Sequence, residues 1–120
     1  MRYKDARGAL GVRAAQTIMT GDGDRDDVVS LEVRVFGRVQ GVGFRYFAHE
    51  LARRLRLSGY VTNLPDHSVR AYAEGPRASL EEFLRQIGQG PAGAAVHEVR
   101  SHWGPAAGQY TCFRIEHRIS

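Results

Sequence analysis

Cysteine and lysine are nearly missing: Cys112 and Lys4 are the sole examples in 120 residues. A lone cysteine excludes an internal disulfide framework and fits a reducing compartment, so a cytoplasmic setting is expected. Long apolar runs are missing too. None approaches the roughly 20 residues that a membrane-spanning helix needs, which excludes a transmembrane helix. Metal-ligand spacings are absent as well. The five histidines (49, 67, 97, 102 and 117) are scattered and read as surface or strand residues, and no carboxylates gather to hold magnesium. Neither a metal nor a cofactor is expected. The scarcity of lysine also qualifies the charge. The net charge is +4 and the pI is near 9.7, but all basic residues except Lys4 are arginine. Such a skew can follow from base composition alone, so a small phosphorylated substrate suits the charge as well as nucleic acid does.

What is present is ordinary for one small globular domain: 42% hydrophobic and 25% charged residues. Residues 1–27 show no sustained apolar period. They change from a basic start to the acidic run "GDGDRDD" at 21–27, and they read as a disordered N-terminal tail. The domain is expected over 28–120. "VSLEVRVF" (29–36) alternates as a half-buried strand. Phe44, Phe47, Ala48, Leu51, Ala52 and Leu55 recur at helical spacing, with Gly59 as a natural cap. "YVTNL" (60–64) and Val69–Ala73 read as strands around the turn "PDHS". Ser79 and Glu82 have capping-box spacing before the stripe Leu80, Phe83, Leu84 and Ile87, which Gly88 and Gly90 close. Val96–Trp103 and Tyr110–Glu116 complete the strand candidates. The order β-α-β-β-α-β plus a short terminal strand predicts an α+β, ferredoxin-like split βαβ sandwich, an antiparallel sheet with two helices on one face. In that topology the first two strands run parallel, and the helix between them returns antiparallel. Arg45 and Asn63 are thereby brought to one edge.

The stretch "GRVQGVGFRYF" (37–47) feeds glycines into a helix N-terminus. Such a turn leaves backbone N–H groups unpaired, the helix dipole adds partial positive charge, and both suit phosphate-like anions. Arg45 adds a planar guanidinium that can contact two phosphate oxygens at once. A Walker loop would need Lys-Ser/Thr after the last glycine, where Phe44-Arg45 stand. A dinucleotide fingerprint would need glycine at 46, which is Tyr46.

"GRVQGVGFRYFA" followed by "LSGYVTNLPDHSV" resembles the acylphosphatase family, over residues 29–117. The resemblance implies a hydrolase that cleaves carboxyl–phosphate anhydrides without a metal. It implies that the amides of Val39, Gln40, Gly41, Val42, Gly43 and Phe44 hold the phosphate. Arg45 would be the binding arginine, and Asn63 would position the attacking water. It also implies an acyl phosphate as substrate, with inorganic phosphate as product and competitive inhibitor. A monomer with no membrane or nucleic-acid partner is expected. His67 departs from the pattern, because the family usually has glycine after the aspartate, at a turn position that often needs φ > 0. Two other readings stay open. One is a non-catalytic acyl-phosphate or carbamoyl-phosphate binding module. The other is an RNA binder of this fold, which would need stacked aromatics on the central strands, where "SVRAYAE" offers Tyr72.

Overall fold

The computed structural model describes residues 27–117. The expected tail therefore lies outside the described residues, apart from Asp27. The elements are β1 (Val28–Arg38), α1 (Phe44–Arg54), β2 (Ser58–Asn63), β3 (Val69–Pro76), α2 (Arg77–Gln89), β4 (Ala95–Pro105) and β5 (Phe113–Glu116). Both helices pack on one face of a single sheet, and its strand order is β4-β1-β3-β2-β5. This is the α+β sandwich that the element order predicts.

Alternation on β1 decides which face is buried. Leu31, Val33 and Val35 are at most 1% exposed, while Glu32, Arg34 and Phe36 lie on the face opposite the helices. The helices supply Phe44, Ala48, Leu51 and Ala52 from α1 and Leu80, Phe83 and Ile87 from α2. Removing each of the larger side chains, the leucines, phenylalanines and Ile87, from water contributes about 1.5–3 kcal/mol before entropy is counted. Phe113 of β5 packs edge-on against Phe83, with ring centres 6.0 Å apart, which ties the last strand to the same core.

Four local expectations change. The sheet is mixed rather than wholly antiparallel, because β5 pairs parallel with β2, from Gly59↔Phe113 to Thr62↔Glu116. Tyr110 stays in the connection before β5 and packs against Tyr60 and Tyr72. Tyr60 and Tyr72 in turn stack with ring centres 5.9 Å apart. Gly59 does not cap α1. The helix ends at Arg54, and Arg56 takes the left-handed conformation at φ 60°. Gly59 lies inside β2, where an added Cβ would come within 1.9 Å of the Tyr72 carbonyl oxygen. Nor does Ser79 begin α2. Pro76, extended at φ −62° and ψ 143°, leads from β3 straight into the helix without a side-chain cap. Glu82 instead accepts from Arg85 Nη2 at 2.6 Å and from Gln86, and these bonds hold its carboxyl down at about 2.

β1 and β2 are both antiparallel to β3 and so run the same way. The helix α1 returns between them, and its N-terminus sits where both strands end. β5, parallel to β2, also ends there.

Candidate active site

The loop from Val39 to Gly43 links β1 to α1. Gly41 and Gly43 both hold left-handed backbone, at φ 77° and 79°. L side chains rarely adopt that conformation, and it turns a short chain back on itself. A Cβ at either glycine would meet nothing within 4 Å, so conformation rather than space demands glycine. Gly43 is the N-cap of α1, and no side chain caps the helix there. The first turn's bond runs from Phe47 N–H to the Gly43 carbonyl at 3.0 Å. The N–H groups of Gly43, Phe44, Arg45 and Tyr46 precede that bond and are left over by the helix. Backbone of this kind forms anion-binding concavities.

A pocket of about 90 Å³ opens at this point. Val39, Gly41, Gly43, Phe44 and Arg45 line it from one segment, and Asn63, the last residue of β2, lines it from another. Clefts for larger ligands run to roughly 300–1,000 Å³, so this pocket suits a compact anion. Tyr46, 73% exposed, also lines it. Among the described residues, no group of three His, Cys, Asp or Glu side chains is arranged to hold a metal ion.

The acylphosphatase family model matches residues 31–115, which include every residue of this pocket. The chain belongs to the acylphosphatase family. It is 54% identical over 74 residues to the acylphosphatase of Thermus thermophilus, covering 62% of this chain and 84% of that protein. The crystal structure of acylphosphatase from Bacillus subtilis superposes with a TM-score of 0.72 at 32% identity, covering 74% of this chain and 99% of that one. The structure of full-length HypF in its phosphate- and nucleotide-bound form matches with a TM-score of 0.72 at 28% identity. There 78% of this chain corresponds to only 12% of the longer protein.

The residues singled out from sequence divide into two groups. Arg45, Asn63, Gly41, Gly43, Phe44 and Val39 meet at the pocket. Val42 packs on the core. The side chain of Gln40 turns the other way, and its Nε2 donates to the carbonyl oxygens of Leu64 and Ser68, both at 2.9 Å. Gln40 thus ties the glycine loop to the turn that follows Asn63. That turn is itself closed. Leu64 N–H donates to the Ser68 carbonyl at 2.9 Å and His67 N–H to the Leu64 carbonyl at 3.0 Å. Asp66 Oδ1 accepts from the Ser68 N–H at 3.0 Å and from its hydroxyl, while Asp66 Oδ2 accepts from Arg34 Nη2 at 2.8 Å. The Ser68 bonds, more than Arg34, hold the Asp66 carboxyl below its usual range. His67 takes φ 74°, the left-handed turn conformation expected at this position from the sequence.

Sequence reasoning missed two contacts at this end of the sheet. The Gln40 staple had no sequence signal beyond a polar residue in a glycine loop. His117, read as a surface or strand histidine, lies with its Nδ1 3.2 Å from Arg45 Nη1.

Proposed function

We propose that this pocket is where the chain hydrolyses acyl phosphates to a carboxylate and inorganic phosphate, and that no metal ion takes part. One observation carries this reading. Arg45, two left-handed glycines and Asn63 come from segments 18 positions apart, yet they line one small pocket. The donors suit the phosphoryl group: amides of the Val39–Phe44 loop and the Arg45 guanidinium hold its oxygens through preorganised charge. Asn63 both donates to and accepts from the attacking water, holding it in line behind phosphorus. Water forms the new P–O bond as the bond to the acyl oxygen breaks, and the water's proton passes to a phosphoryl oxygen. The leaving carboxylate has a conjugate acid of pKa roughly 4, in the range of Asp and Glu side chains, so no general acid is required.

A hydrolysis assay tests this. With excess chelator, an aromatic acyl phosphate such as benzoyl phosphate should be cleaved at an undiminished rate, with inorganic phosphate inhibiting competitively. A phosphate monoester should be nearly untouched, because its alkoxide leaving group needs an acid, and neither a carboxyl nor an imidazole is among the residues that line the pocket. Activity abolished by chelator, or comparable monoesterase activity, would overturn the metal-free reading. A binding module without turnover would bind phosphate and release no carboxylate, and the 99% coverage of the Bacillus subtilis enzyme favours turnover.

The working unit is proposed to be residues 28–120, a monomer in the cytoplasm. Among the described residues only Val28 and Tyr46 are large exposed apolar side chains, and Cys112 is an exposed free thiol. Deleting residues 1–27 should leave kcat/KM and melting temperature close to intact. A large fall in either would show that the domain extends into that segment.

A further inference from the structure

We propose that His117 is a positioning residue for Arg45, holding its guanidinium at the pocket through a neutral imidazole; this rests on the reading of Arg45 as the phosphoryl-binding arginine. The contact is Arg45 Nη1 to His117 Nδ1, 3.2 Å, between residues 72 positions apart. A guanidinium only donates hydrogen bonds, so Nδ1 must accept, which places the imidazole proton on Nε2. The fold brings the ring there by two independent supports. The β5 ladder runs parallel to β2 and ends at Thr62↔Glu116, so residue 117 emerges beside Asn63 and the first turn of α1. Phe113, 5% exposed, packs against His49 of α1 with ring centres 6.2 Å apart, which seats the start of β5 against the helix that carries Arg45.

Holding Arg45 before the substrate arrives has a definite consequence. A long arginine side chain that must be ordered on binding weakens affinity by about two- to tenfold. His117 removes part of that cost, and it leaves Arg45 with other N–H groups to offer an anion. The effect belongs to the arginine, so it should vanish when the arginine does.

A double-mutant cycle reads this out, using the inhibition constant for inorganic phosphate and kcat/KM for benzoyl phosphate. In the presence of Arg45, His117→Ala should weaken phosphate inhibition by about three- to tenfold, the size expected for one partly exposed hydrogen bond. In the Arg45→Ala background the same change should have no effect. His117→Asn should restore most of the loss, because asparagine Oδ1 stands where imidazole Nδ1 stands and also accepts. Equal losses in both backgrounds, no loss with Arg45 present, or an asparagine variant as weak as alanine would each overturn the role of His117. If Arg45→Ala alone leaves phosphate inhibition unchanged, the reading of Arg45 itself fails, a distinct result.

Discussion

Arg45 and Asn63 line the same pocket, but they are assigned different partners, and that difference is measurable. Arg45 is proposed to hold the phosphoryl group in both the ground and transition states. Arg45→Ala should therefore lower kcat/KM by about a hundredfold or more, on the order of 3 kcal/mol for a lost bidentate charge-assisted contact, and should weaken phosphate inhibition too. Arg45→Lys should recover little, since one ammonium cannot reproduce the planar fork. Asn63 is proposed to hold the attacking water, so Asn63→Ala should collapse kcat and leave phosphate inhibition nearly unchanged. Kinetics of both variants decide it: an Asn63→Ala enzyme that keeps most of its turnover, or loses phosphate binding as badly as Arg45→Ala, has a different asparagine role. These residues were legible because the cradle is contiguous in sequence and the topology brings Asn63 beside it. The left-handed turn position at His67 (φ 74°) was legible for the same local reason. His117 was not, because its contact with Arg45 depends on a parallel pairing that no local pattern encodes.

Elements were legible where an apolar period decides them, as in β1 and both helices. They were misread where a connection decides them. Gly59 looks like a cap, but close approach to the Tyr72 carbonyl is what requires it, and that approach exists only once β2 and β3 pair. Ser79 and Glu82 have capping-box spacing, but Pro76 starts α2 earlier by joining strand and helix without a loop. Gln40 shows the same limit at the site, since its carbonyl partners at Leu64 and Ser68 belong to the next hairpin. Gln40→Ala should let the glycine loop shift relative to Asn63 and reduce kcat/KM by about ten- to hundredfold, with about 1–2 kcal/mol lost in stability. Gln40→Glu should be worse than alanine in both measures, because it donates nothing and sets a carboxylate against two carbonyl oxygens. Steady-state kinetics and thermal melting check the order. A glutamate variant equal to or better than alanine would mean that the staple does not position the loop.

At the scale of the whole molecule, the chain must pass from β4 at one edge of the sheet to β5 at the other. Residues 106–112 make that passage, with Tyr110 against Tyr60 and Tyr72 on the face opposite the helices. Glu74, 4% exposed, fastens it. Its carboxylate accepts from the N–H groups of Ala107 at 2.8 Å and Gly108 at 3.2 Å, and from the Tyr72 hydroxyl. Burial pushes the Glu74 carboxyl up, but those donors outweigh it and hold it below the ordinary value. A carboxyl lowered on folding stabilises above its unfolded pKa, roughly 4.3, and the contribution fades as pH falls through the folded value. Glu74→Gln, which removes the charge at constant shape, should therefore cost about 2 kcal/mol at pH 7, or about 10 °C in melting temperature for a domain of this size. As pH falls through the lowered folded value wild type loses the same charge, and the gap between the two proteins should narrow. Melting curves of both proteins across pH 3–7 measure that gap, and one that stays constant would mean that the ionised carboxylate is not what fastens the crossing.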